Sequence, residues 1–215
     1  MYQPPQFREE RPEFHHALMR AHSLAMLITM GEGGLTANPV PLLLDTSVGE
    51  KGTLRGHLSR ANAQWRNYDP SVECLAIFQG TDAYITPSYY AAKRETGKVV
   101  PTWNYVVVQA YGRMTVRDDQ DWLRRQVQEL TEEHEQARSE PWQVSDAPSE
   151  YIEAQLRGIV GIEIEITRIE GKWKVSQNRS DADITGVIDG LRSEERASSA
   201  EMATLVEQFR PKRSR

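Results

Sequence analysis

Cysteine is almost absent: Cys74 stands alone among 215 residues, so no internal disulfide can form and no paired-thiol metal or redox motif exists. It sits in the apolar run Val72 to Phe78 and reads as a small buried hydrophobe. Long apolar runs are missing too, since Leu24 to Met30 and Val99 to Ala110 are short or interrupted, which excludes a bilayer-spanning helix. Residues 1 to 13 are polar and carry both charge signs, unlike a secretory leader, and the expected compartment is the cytoplasm. Positive charge is in deficit. With 26 Lys and Arg against 31 Asp and Glu, the net charge of -5 offers no general field for nucleic acid. The one dense basic cluster, Arg210 to Arg215, reads as a solvated terminus. His15, His16, His22, His57 and His134 show no ligand spacing, so no metal is expected. There is no Gly-x-Ser-x-Gly elbow and no phosphate loop, and Gly31 to Gly34 is too irregular for a dinucleotide fingerprint.

What is present describes a soluble globular chain, 39% hydrophobic and 27% charged, with room for one well-buried core. A helix is predicted from Pro12 to Ala21, where Phe14, Ala17, Leu18 and Ala21 share a face. Strands follow at 24–30, 37–44, 54–58, 72–78, 83–86 and 99–116. Six short strands in succession suggest a barrel or sandwich. A second helix should start near Asp118 or Asp119 and run to His134. A charged loop at 136–148 follows, pinned by Trp142, and then a short helix at 149–157. Val160, Ile162, Ile164 and Ile166 alternate with polar residues, and Glu170-Gly171 reads as the turn of a hairpin into Lys172 to Val175. Ser198 with Glu201 forms a capping box for a terminal helix.

Three loops gather the chemistry. The first is Gly56-His57-Leu58-Ser59-Arg60-Ala61-Asn62-Ala63-Gln64-Trp65, where a strand turns into a helix that Ser59 can cap. Helix starts offer unpaired N–H groups to an anion, and Arg60 could grip a phosphate bidentately; a plain N-cap is the other reading of the same residues. The second loop runs from Ala83 to Tyr90, with its sequel Gly97-Lys98-Val99-Val100-Pro101-Thr102-Trp103-Asn104-Tyr105. The third is Lys174-Val175-Ser176-Gln177-Asn178-Arg179. Aromatic rings beside Thr, Asn, Gln and Arg suit a flat heteroaromatic ligand carrying a phosphate, although each aromatic taken singly fits an ordinary core or interface.

These three loops, with Trp122-Leu123, Leu130-Thr131, His134-Glu135, Ile159-Val160-Gly161 and the start Met1-Tyr2-Gln3-Pro4, resemble the PaiB family over nearly the whole chain. The resemblance implies an α+β, mainly β fold: an FMN-binding split β-barrel with flanking helices and a C-terminal helical extension, divided as 1–190 and 191–215. It implies FMN as cofactor at the interface of a homodimer, with His57, Leu58, Ser59, Arg60, Asn62, Thr102, Trp103, Asn104, Gln177 and Arg179 around it. It also carries a negative transcriptional regulator label. Ser59, Ala63, Thr86 and Tyr89 depart from the family's usual residues, which bears on affinity more than on fold. Three alternatives stay open: haem held by His57, a flavin-dependent oxidoreductase whose catalytic residue is not identified, and a DNA- or protein-binding repressor without cofactor. A DNA partner gets no support from the charge.

Overall fold

Apolar and polar residues alternate along the strands, and burial follows the alternation. The structure, a computed structural model, describes residues 1–211. In chain order it forms β1 (Arg8–Glu9), α1 (Pro12–Ala21), β2 (Leu24–Gly31), β3 (Gly34–Asp45), β4 (Thr53–Ser59), α2 (Gln64–Asn67), β5 (Cys74–Ile85), α3 (Ala92–Glu95) and β6 (Thr102–Arg117). Then come α4 (Gln120–Glu135), α5 (Ser149–Arg157), β7 (Ile159–Lys174), α6 (Asp181–Arg192) and α7 (Ala197–Gln208). The strands make one mainly antiparallel sheet in the order β1-β7-β4-β3-β2-β5-β6, and β6 also pairs with β7, so the strand order returns on itself. The expected mainly β architecture with flanking helices is what the chain adopts. The residues fall into two compact units: a barrel unit of 19–78 and 109–169, and a terminal unit of 1–18, 79–108 and 170 onward.

In the barrel unit, Ala25 and Leu27 of β2, Leu42 of β3, Leu54 of β4, Ala76 of β5 and Ile162 and Ile164 of β7 are buried to within 1%. Each large aliphatic side chain so buried contributes about 1.5–3 kcal/mol. β6 meets β7 closely enough that a Cβ on Gly112 would lie 2.2 Å from the Glu165 carbonyl oxygen, so a side chain there would push the strands apart. Asp119 caps α4 by accepting from the Trp122 N–H at 2.7 Å, as its carboxylate suggested. Leu123, Ile152 and Leu156 hold α4 to α5, and Val144 and Ala147 of the intervening loop pack against them. Trp142 does not pin that loop; it is 47% exposed.

In the terminal unit the sequence reading needs three corrections. Glu170-Gly171 is no turn, because β7 runs on as one strand to Lys174. Gly171 is there to admit a neighbour: β1 pairs alongside it, and a Cβ would lie 2.3 Å from the His15 ring. Helix α6 was not foreseen, since Gly186 and Gly190 lower its helix propensity; both make room for Tyr89, which would meet a Cβ at either position. The last helix starts at Ala197, one residue ahead of the expected capping box. Arg210 donates to the Asp181 carboxylate and to Thr185, and the rest of the basic cluster, residues 212–215, lies outside the described residues.

Candidate cofactor site

The first loop belongs to the barrel unit and is consumed by its own folding. The helix after it, α2, is four residues long, its N-cap is Ala63, and Ser59 caps nothing. Asn62 Oδ1 accepts instead from the Gln64 N–H at 2.9 Å. Gln64 turns inward and is 3% exposed; its Nε2 donates to Leu27 O, Thr29 Oγ1 and Thr36 O, and its Oε1 accepts from Asn38. Arg60 makes a bidentate pair with Asp118, at 2.9 Å from one amino group and 2.5 Å from the other, and donates to the carbonyls of Arg157 and Ile159. A phosphate would have to compete with all of these. Leu58 points into the core at 6% exposure. His57 Nδ1 lies within hydrogen-bond distance of the Gln126 side-chain amide, 2.9 Å from its Oε1. The ladder to β3 stops at Gly56, while β7 pairs with β4 as far as Ser59.

The second and third loops meet inside the terminal unit. Alternation along β6 sends Thr102 and Asn104 to one face and the Trp103 ring to the other, so those three residues do not line one wall. On the first face Lys174 Nζ donates to Thr102 Oγ1 at 2.5 Å and also to the Trp103 carbonyl. Asn104 Nδ2 donates to Ser176 Oγ at 2.9 Å, both residues being buried. Ser176 holds φ at 65°, the only non-glycine residue in the left-handed region among those described. Gln177 closes the same turn, accepting from Val175 N–H and donating to Trp173 O. The turn is therefore rigid and costly, the kind of backbone strain that a binding site retains.

Positive charge collects around this turn, with the buried carboxylate of Asp183 near Tyr90. Lys172 is 7% exposed, and its ammonium lies over the rings of Tyr2 and Tyr105, at 5.5 and 5.2 Å. Arg179 lies over the Tyr90 ring at 4.7 Å; burial and the buried Asp183 carboxylate raise the pKa of the Tyr90 hydroxyl, and Arg179 draws it down by charge and hydrogen bond. Burial pushes the Lys174 ammonium below the usual lysine range, and the charges of Lys172 and Arg179 push it further the same way. Three cations therefore stand close to the serine turn, a donor set of the kind that an anion can use. Sequence reasoning named Gln177 and Arg179 here, carried Lys174 only as the first residue of the third loop, and passed over Lys172, which the supposed hairpin put in a separate short strand.

Comparison with known proteins decides the family. Residues 1–168 match the model of the "Putative FMN-binding domain", and the chain is 31% identical to the Protease synthase and sporulation protein PAI 2 of Bacillus subtilis, covering 96% of this chain and 97% of that one. The chain belongs to the PaiB family. Two solved structures share its fold at low identity. One, the FAD and heme binding protein of Mycobacterium smegmatis, has a TM-score of 0.57 and 14% identity, over 83% of this chain and 78% of that one. The other, the flavocytochrome Anf3 of Azotobacter vinelandii, has a TM-score of 0.56 and 12% identity, over 78% of this chain and 69% of that one. The PaiB fold here is thus a split barrel. FMN is the cofactor that the family's description names.

Proposed function

We propose that this protein binds FMN through the cationic cluster of the terminal unit, with Lys172, Lys174, Arg179 and the Tyr90 hydroxyl holding the phosphate. The observation that carries the reading is the uncompensated charge: the groups acting on Lys174 are of its own sign, and its hydrogen-bond partners are neutral oxygens. A phosphate dianion repairs this, since each ammonium or guanidinium gains a charge-assisted bond. Bound flavin supplies the electron chemistry; the chain's own task is to hold and orient it. Thr102 fixes the Lys174 ammonium, Asn104 fixes Ser176, and the phosphate therefore meets donors that are already in place. Arg60 is assigned to structure, because Asp118 and two carbonyls already occupy it.

The protein acts as a homodimer in this reading, through the outer face of the barrel unit. Leu24, Met26 and Met30 of β2 and Leu35 of β3 are 40–71% exposed, and the β2 register places Met26 beside Pro39 and Ile77, and Ile28 beside Ala37 and Leu75. So continuous an apolar sheet face is what an isologous interface covers. The regulator label is read as acting through cofactor or partner, since a chain of net charge -5 has little to offer phosphate backbones. No helix among the described residues is long and apolar enough to cross a membrane. The test is a titration with FMN and with riboflavin, followed by flavin fluorescence. FMN should saturate and bind at least about tenfold more tightly than riboflavin, as the loss of a charged phosphate contact requires. Equal affinities, or no saturable change with FMN, would refute the assignment.

A further inference from the structure

The phosphate reading leaves two rings of the second loop unused, and both are on display. Tyr84 on β5 and Trp103 on β6 meet edge to face with centroids 5.7 Å apart, and they are 48% and 54% exposed. They form the floor of an open cleft of about 540 Å³ within the terminal unit, whose walls are Asp82 and the junction of α6 with α7 at Glu194, Glu195, Arg196 and Ser199. Asp82 and Tyr84, two residues apart on β5, share a face. The lining of the cleft includes none of Lys172, Lys174 and Arg179, although Lys174 donates to the Trp103 backbone carbonyl.

The cleft's charge is fixed by its hydrogen bonds. Three carboxylates face one guanidinium, that of Arg196. Glu194 accepts from the Tyr89 hydroxyl at 2.5 Å and from Ser199 Oγ at 2.6 Å, and these bonds hold its carboxyl below the usual range, so it stays ionised. Ser199 is itself 2% exposed, which makes this wall rigid. Exposed indole and phenol faces attract cations through the ring quadrupole, and a flat ligand gains stacking area as well. The volume lies within the range of small-molecule clefts.

We propose that this cleft is a second ligand site that takes planar aromatic cations, the ring lying on Trp103 and Tyr84 and the charge facing Asp82 and Glu195. It needs no FMN and does not rest on the phosphate assignment. The experiment uses the full chain free of flavin, titrated with N-methylquinolinium and, separately, with 1-naphthalenesulfonate, a ring of similar size and opposite charge. Binding is read by tryptophan fluorescence and calorimetry. N-methylquinolinium should bind one per chain, and the sulfonate at least about tenfold more weakly. Trp103→Leu should weaken the cation by roughly tenfold as the ring face is lost. Asp82→Asn with Glu195→Gln should weaken it by about threefold, since both charges are exposed. Equal binding of the two probes, or wild-type binding by a Trp103→Leu protein whose circular dichroism is intact, would overturn the proposal. So would a Lys-rich peptide without aromatic residues that binds where N-methylquinolinium does not, since the cleft would then be a protein-docking surface.

Discussion

Replacing Lys174 by Gln should move cofactor affinity and stability in opposite directions. The ammonium is half-buried, donates to Thr102 Oγ1 and the Trp103 carbonyl, and faces Lys172 and Arg179. A phosphate oxygen about 4 Å from it, at an effective dielectric of about 20, gains about 4 kcal/mol. Solvent at a half-buried site reduces this to about 1.5–3 kcal/mol, the range of a charge-assisted hydrogen bond. Loss of that much raises the FMN dissociation constant by about 10- to 100-fold. Without FMN the same charge is a liability. Its folded-state pKa lies below the unfolded one, so between the two values the unfolded chain binds more protons, and the stability of the flavin-free protein rises with pH across that window. The variant loses this slope and, at neutral pH, melts higher than the wild type. Flavin fluorescence at low and moderate salt measures the first effect, and thermal melts of the flavin-free protein from pH 7 to 10 measure the second. A variant that binds FMN normally, or that melts lower than the wild type without FMN, would refute the charge argument.

Arg60→Ala should behave in the contrary way, lowering the melting temperature through the loss of Asp118 and two carbonyl contacts while FMN affinity stays put; fluorescence titration beside a thermal melt distinguishes the two. Gln64→Leu strands the buried Leu27 carbonyl and Thr29 hydroxyl and takes the acceptor from the half-buried Asn38 amide, and chemical denaturation should show a loss of about 2–4 kcal/mol. Gly161→Ala places a Cβ 2.2 Å from the Trp122 ring and 2.9 Å from the Arg117 carbonyl, and the same assay should show about 1–3 kcal/mol of destabilisation from overpacking. Ile28→Glu, in the middle of the outward β2 face, should convert a dimer to a monomer in sedimentation velocity; an unchanged sedimentation coefficient would remove that face as the interface.

Residues whose periodicity fixes their partners were the legible ones. Pro12–Ala21, Ser149–Arg157 and the strands at 24–30 and 54–58 carry their period in plain view, and the structure follows it. Glycine was the source of error. Gly171 looks like a turn but is a clearance for His15, and Gly186 and Gly190 look like helix breakers but form the seat of Tyr89. Both demands come from residues far away in sequence, which no local pattern carries. The site was half legible for the same reason. Gln177 and Arg179 stood out by type and Lys174 opened the third loop, whereas Lys172 came into view only once β7 proved continuous. The decapeptide at 56–65 shows the converse. Its polar residues looked like ligand donors, and the fold spends nearly all of them on strands and carbonyls already near by.

Strand β2 is apolar on both faces, with Ala25 and Leu27 inward and Leu24, Met26, Ile28 and Met30 outward. It pairs with β3 through a tight turn at Gly31–Gly34, so this hairpin can form early from local contacts alone. Until a second surface covers it, seven residues of uncharged strand face water, and such a segment joins its own kind readily. The yield of soluble protein should therefore fall with the rate of synthesis and improve at lower temperature, and a lysine at Met26 or Met30 should relieve this dependence. The face that suits the assembled protein is, during folding, its principal aggregation hazard.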